Sequence, residues 1–293
     1  MDHNVAALTA PALHVGDEFP AHLTERSPMA FRHTLTADPA LSLESVALLA
    51  ESLDDGSVTC EAAIKPLVVP EDSPTATSSS HAAELIRHLD EDESWLTLLN
   101  IEQSPSYRAL IDHYIDAMAR SCGLQPSTLR RRMGFIFASS PRSVTPVHFD
   151  IEHSLLIQLR GNRTLSFGTF ADSASRAAEV HRYWTGSFGR LQSMPIPQME
   201  LHLGPGDGAY IPPYYPHWLQ NEDAPSLSTT MTFFTRSNED ETFVQIFNER
   251  LRRMGRNPRP EGTSSVSDGA KAGLTRCYMA MRRLRRPERS TAR

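Results

Sequence analysis

His148-Phe149-Asp150 is the tripeptide in this chain best suited to chemistry, and His217, in the segment GPGDGAYIPPYYPHW, is its natural completion. Two imidazoles and one carboxylate on one side of a metal leave three coordination positions open. That is the pattern of non-haem Fe(II) oxygenases rather than of closed zinc sites. An imidazole and a carboxylate two residues apart share a face only on an extended backbone, where positions i and i+2 lie roughly 6.6 Å apart. On a helix the pair would diverge by about 200°. The chain contains its own control: His88-Leu89-Asp90 has the same spacing but lies within Ala82, Leu85, Ile86 and Leu89, a helical repeat that sends the two side chains apart. Around His148 the signals are β. Pro146 disfavours helix for Thr145, and Leu155, Ile157 and Leu159 alternate with Ser154, Leu156 and Gln158.

The elements that must position these residues can be read from period and punctuation. Residues 1–40, with four prolines, suggest an irregular lead-in. A helix is expected over 42–53 with Ser42 as cap, a short strand in EAAIKPLVVP, and a surface loop over 71–80. A buried strand starts at Trp95, and a helix follows with Ser104 as N-cap, Pro105 at its first position and Gly123 beyond its end. QPSTLRRRM reads as another short helix. Strands are then expected at 135–137, around His148, at 155–159, 164–167, 199–203, 209–211 and 227–236, interrupted by a helical insertion over 171–185 and an irregular loop over 186–198. His217 would come from a strand across the barrel from His148. Ser237 would cap an amphipathic helix carrying Phe243, Ile246, Phe247, Leu251 and Met254, and a last basic helix would carry Leu274, Cys277, Met281 and Leu284. Short strands at near-regular spacing with helices outside them predict an α+β fold, a jelly-roll core with helical decoration.

Composition narrows the setting. The 293 residues are 40% hydrophobic, enough for a real core; no apolar run reaches membrane-spanning length and no signal peptide is recognisable, so a cytoplasmic protein is expected. Cys60, Cys122 and Cys277 are widely spaced, which argues against a disulfide framework or a zinc knuckle. The net charge of −6 hides an asymmetry: residues 241–293 hold 13 Lys and Arg against 5 Asp and Glu, leaving 16 against 30 for residues 1–240.

Three motifs carry a resemblance to a known family. Thr145-Pro-x-His148-Phe-Asp150, Gln158-x-x-Gly161 with a basic residue at 163, and Pro205-Gly-Asp207-x-x-Tyr210-Ile-Pro212 followed by His217 resemble the jumonji-C or cupin-like Fe(II)/2-oxoglutarate oxygenases, especially the branch of the asparaginyl hydroxylase acting on hypoxia-inducible factor. They cover roughly residues 134–236. The resemblance implies a double-stranded β-helix and a hydroxylase that uses Fe(II), 2-oxoglutarate and O2 and releases succinate and CO2. It implies that His148, Asp150 and His217 bind the metal and that Thr145 and Arg163 bind 2-oxoglutarate. The family has a lysine where Arg163 stands, and the asparaginyl hydroxylase has asparagines at the positions of Ser154 and Thr232. The prime substrate would be a protein, peptide, amino acid or natural product.

On this reading residues 1–237 form the oxygenase domain and 238–293 a basic helical segment that makes a homodimer, as C-terminal helices do in the related hydroxylase. Two rivals stay open. One is a pseudo-oxygenase sensor whose arginines, among them Arg252, Arg253, Arg282, Arg283, Arg285 and Arg286, touch nucleic acid. The other is a cupin enzyme with a different metal and no 2-oxoglutarate. Tyr210, Tyr214, Tyr215 and Trp218 read as core, lid or substrate platform, His153 as a surface residue or a neighbour of the ligands, and His202 as undecided.

Overall fold

The computed structural model describes residues 11–69, 75–91, 93–187 and 189–285, and the side chains of these except at 55, 75, 76 and 282–285. The N-terminal part contains β1 (Leu13–His14), α1 (Phe19–Glu25), β2 (Met29–His33), α2 (Leu43–Ser52), β3 (Val58–Ala62), β4 (Thr75–Ala76), α3 (Ser79–Arg87), β5 (Ser94–Leu98) and α4 (Pro105–Ser121). Then come β6 (Arg130–Ser139), β7 (Val144–His148), β8 (His153–Arg160), β9 (Arg163–Thr169), α5 (Ser173–Arg182), β10 (Ile196–Leu203), β11 (Asp207–Ile211), β12 (His217–Asn221) and β13 (Ser226–Phe234). The chain closes with α6 (Arg236–Arg253) and α7 (Ser265–Arg285).

All strand pairs are antiparallel. A large sheet runs β1-β2-β11-β8-β13-β6-β5-β3-β4 and a small one β10-β9-β12-β7. From β6 to β13 the chain passes between the two sheets, so strands distant in sequence become neighbours. This is the expected double-stranded β-helix, lengthened at both edges of its large sheet. Both faces of that sheet are covered, which is why β13 is buried at all nine positions. Leu155, Ile157, Met231 and Phe233 point outward into a cluster with Ile111 and Ile115 of α4 and Val46 of α2. Each such side chain contributes about 1.5–3 kcal/mol by leaving water. Ser154, Leu156 and Gln158 point inward.

Several boundaries differ from expectation. The first strand of the large-sheet extension is Val58–Ala62, earlier than EAAIKPLVVP, because it pairs with β5 before Pro66 interrupts. In the stretch read as a loop, 70–74 lie outside the described residues, whereas 75–76 pair with β3 and Ser79 opens α3. QPSTLRRRM forms one tight turn at Pro126–Thr128 and then enters β6; pairing with β13 overrides the helical preference of its arginines. The cap of α6 is Thr235 rather than Ser237: its backbone N–H donates to Asn238 Oδ1 at 2.7 Å. Helix α7 packs through Ala272 against Phe243 and Val244, leaving Leu274, Cys277 and Met281 exposed.

Candidate metal centre

His148 is the last residue of β7 and His217 the first of β12, and the two face each other as a direct pair in the small sheet. The expected placement across the barrel is therefore corrected. The crossing connections lay β12 beside β7, so the second imidazole arrives by strand pairing. Asp150 follows β7 in the turn. Its Oδ2 lies 3.8 Å from His217 Nε2, the two imidazole centroids are 4.2 Å apart, and one ligand atom from each of the three residues falls within 4.8 Å of the others. Among the described residues no other group of His, Cys, Asp or Glu meets that criterion.

Backbone carbonyls orient both rings. His148 Nδ1–H donates to Pro146 O at 2.8 Å, and His217 Nδ1–H donates to Tyr215 O at 2.9 Å. A carbonyl only accepts, so each Nδ1 carries the proton and each Nε2 keeps its lone pair for a metal. Burial first, then the charges of His217 and Arg190, push the His148 imidazole well below its ordinary pKa, which also favours the neutral ligand. The turn carrying Asp150 is tied down on both sides. Phe149 N–H donates to Gly189 O at 3.1 Å, and Tyr214 N–H donates to Asp150 O at 2.6 Å. Phe149 itself is fully buried against Tyr183 and Tyr214.

Thr145 lies three residues before His148, and in a regular strand the two would point to opposite faces. The pairing of His217 with His148 but of Leu219 with Thr145 sets three residues of β7 against two of β12. This bulge turns Thr145 onto the ligand face. Both residues line a cavity of about 480 Å³, together with Asp150, His217, Leu219 and Thr230. Ser154 and Thr232 are a cross-strand pair on its wall, and their buried hydroxyls have no protein partner.

Arg163 stands deeper in the barrel. It pairs with Asn221 of β12, whereas Phe167, four residues on, pairs with His217; the guanidinium is thus on the ligand face at the far end. It is 3% exposed, and Nη1 donates to Ser228 Oγ of the opposing sheet at 2.8 Å. Among the described residues no carboxylate pairs with it, and its buried Nε has no partner. Burial alone pulls its pKa down to about 10. A buried cation without a counter-charge is costly unless an anion completes the site. The residues present therefore fit a metal at one end of the barrel and a carboxylate-bearing small molecule reaching to the other.

The cavity also takes in Thr59, Glu61, Trp95, Thr97, Phe135 and Phe137, from β3, β5 and β6, and Ser187 and Arg190 from the loop after α5. Sequence reasoning missed them because nothing local says that β5 and β3 continue the barrel wall. Glu152 lines it too, two residues beyond Asp150; burial and then the charge of Asp150 push its carboxyl up to about 7. Neither of the other singled-out histidines reaches the site. His153 is buried on the outer face of β8, where Tyr210 O–H donates to its Nδ1 at 2.7 Å, so it is neither a surface residue nor a neighbour of the ligands. His202 lies on the small sheet's outer face, 3.1 Å from Thr164 Oγ1. Tyr210, Tyr214 and Trp218 are buried core.

Residues 113–241 match the family model described as the JmjC domain. The triad lies inside that stretch. That stretch, somewhat less than half of the chain, is thus similar to a JmjC domain and carries a two-histidine, one-carboxylate group suited to Fe(II). Among solved structures the chain is similar to Escherichia coli ycfD, with 17% identity, a TM-score of 0.50, and coverage of 92% of this chain and 69% of that one. The ribosomal oxygenase YcfD in complex with cobalt and 2-oxoglutarate matches at 17% identity and a TM-score of 0.49, over 92% and 68%. The DMSP lyase DddQ from Ruegeria pomeroyi matches only 35% of this chain and 38% of its own, at 14% identity and a TM-score of 0.24. No curated protein matches in sequence. At 17% identity the likeness to E. coli ycfD is one of fold, and it does not single out the asparaginyl hydroxylase branch.

Proposed function

We propose that the JmjC-type core hydroxylates an unactivated C–H bond of a peptide, protein, amino acid or natural-product substrate, with release of succinate and CO2. Fe(II) held by His148, Asp150 and His217 would supply the oxidative chemistry together with O2 and 2-oxoglutarate. Arg163 carries the proposal. Its buried guanidinium lacks an anion at the far end of the barrel from the triad, and it offers paired donors to the distal carboxylate of 2-oxoglutarate. Thr145, brought inward by the β7 bulge, would donate a hydroxyl hydrogen bond to the same molecule. The largely apolar cavity excludes water from the reacting groups. We further infer a cytoplasmic setting, supported by three cysteines none of which forms a disulfide, and a homodimer formed through residues 238–293. The nucleic-acid rival is weakened within α6, where Arg252 and Arg253 both pair with Glu249. No helix among the described residues is long and apolar enough to cross a membrane.

The test is anaerobic titration of the metal-free protein with Fe(II) and 2-oxoglutarate, reading the visible metal-to-ligand charge-transfer band. The band is expected to need both additions and to vanish in Asp150→Ala. Folded protein that binds Fe(II) without forming the band on addition of 2-oxoglutarate would refute the co-substrate assignment and favour a cupin enzyme of another kind.

A further inference from the structure

The three candidate ligands are not held alike. Each imidazole is aimed by a carbonyl that accepts from its own Nδ1–H, whereas the Asp150 carboxylate accepts no hydrogen bond among the described residues and its side chain is 38% exposed. The direction of that carboxylate is therefore set by the backbone of the turn that carries it. The turn, residues 149–152 between β7 and β8, is tied to distant segments by hydrogen bonds. Phe149 N–H donates to Gly189 O, Tyr214 N–H donates to Asp150 O, and Asn238 Nδ2–H donates to Ile151 O at 3.0 Å. The first two run from backbone to backbone. The third comes from a side chain 87 residues further along the chain.

Asn238 is fully buried, at the third position of α6. Its Oδ1 accepts from Thr235 N–H at 2.7 Å and from Thr235 Oγ1–H at 3.0 Å. A backbone N–H only donates and a carbonyl only accepts, so the orientation of the amide is fixed: Oδ1 faces Thr235 and Nδ2 faces Ile151. Capping α6 needs only the acceptor half. The donor half serves the ligand turn. Behind Thr235 the bonding continues into the large sheet. Tyr210 O–H donates to His153 Nδ1 at 2.7 Å, which leaves the His153 proton on Nε2, 3.3 Å from Thr235 Oγ1. Every link then donates in one direction, from Tyr210 through His153, Thr235 and Asn238 to Ile151 O.

We propose that Asn238 is a positioning residue for Asp150. It holds the turn at Ile151 O so that the carboxylate meets the two imidazoles, and it thereby makes α6 part of the metal centre. The inference rests on His148, Asp150 and His217 as metal ligands and on no particular co-substrate. No proton transfer or covalent step is assigned to Asn238.

The experiment titrates the full metal-free chain with Co(II), followed by calorimetry and by the visible ligand-field bands of the bound ion, with urea midpoints of the metal-free proteins measured alongside. Asn238→Asp keeps an acceptor for Thr235 and removes the donor to Ile151. Thr235→Val weakens the cap of α6 and leaves that donor in place. Asn238→Asp is expected to weaken Co(II) binding about 10-fold or more and to shift the ligand-field bands. Thr235→Val should lower the urea midpoint and leave affinity and bands unchanged. Asn238→Ser, whose hydroxyl stops short of Ile151 O, carries the same expectation as Asn238→Asp and replaces it if that variant does not fold. A wild-type protein that binds no Co(II), or binds it no better than Asp150→Ala, refutes the metal-centre reading itself. If the wild type binds Co(II) through Asp150, unchanged affinity and bands in the Asn238 variants overturn the assignment. An equal loss in Thr235→Val also overturns it, because capping of α6 would then hold the site. Failure of both Asn238 variants to fold overturns it too, by making Asn238 a residue of the fold alone.

Discussion

In the proposed site Arg163 would trade stability for binding. Its guanidinium is buried against a serine hydroxyl, with burial the cause of its lowered pKa, so in the ligand-free protein it is a cost to the fold. Replacing it with an apolar side chain of similar length should therefore leave thermal stability unchanged or raised. We expect Arg163→Met to hold or increase Tm while raising the 2-oxoglutarate concentration at half-saturation by about 10- to 100-fold, the loss of hydrogen bonds to a charged group. Titration of the charge-transfer band in parallel with thermal unfolding checks both. A lower Tm with unchanged co-substrate affinity would make the residue structural. His148 and His217 behave differently, because their carbonyl partners fix the tautomer before any metal arrives.

At the level of elements, the site depends on two departures from regular geometry near β7. The bulge opposite β12 brings Thr145 and His148 to one face, and Gly189 lets the loop after α5 lie against Phe149. Gly189 has φ 87°, and a Cβ there would sit 2.1 Å from Phe149 O, a backbone atom that cannot yield cheaply. Gly189→Ala is expected to destabilise the protein by about 1–3 kcal/mol and to weaken Fe(II) binding by displacing the turn that carries Asp150. Chemical denaturation and Fe(II) titration would show it; unchanged Fe(II) affinity would mean that Asp150 is held independently of this loop. These two devices also mark the limit of what could be read beforehand. The shared face of His148 and Asp150 and the alternation along β8 were legible because spacing and period are local, whereas Arg163 was singled out by the family resemblance. The bulge, the pairing of His217 with His148, and the continuation of the wall through Trp95 and Glu61 were not, because each depends on which strands become neighbours. The cap of α6 was misplaced by two residues for a smaller reason: Thr235 and Ser237 are both competent caps, and Asn238, three residues after Thr235, decides between them.

Across the whole molecule, two buried histidines tie stability to pH. Burial, opposed by hydrogen bonds to the Gln158 and Asp207 carbonyls, lowers the pKa of His33, and burial followed by the charge of Arg26 lowers that of His153 to about 3. The unfolded chain takes up these protons below about pH 6.5 while the folded one does not, so stability falls as pH drops from there, by up to about 1.4 kcal/mol per pH unit for each histidine. Glu152, raised to about 7, acts in the opposite sense between its unfolded and folded values. Comparing urea midpoints at pH 7 and pH 5 for wild type and His153→Gln isolates one contribution: the variant should lose part of the decline, and an identical decline would remove His153 from the account. The same scale holds the proposed dimer. Helix α7 buries Lys271, Ala272 and Thr275 and turns Val266, Leu274, Tyr278 and Met281 to solvent at 83%, 60%, 39% and 51% exposure. Positions 266, 270, 274, 277 and 281 follow one another at intervals of four and three along one stripe, the spacing of a seam between helices. Such a stripe on a monomer is an unfavourable surface that a second copy would cover. Light scattering should give twice the chain mass, and Leu274→Glu with Met281→Glu should give a monomer with an intact charge-transfer band, since neither residue lines the metal cavity. A wild-type protein that is monomeric at micromolar concentration would leave α7 without that role.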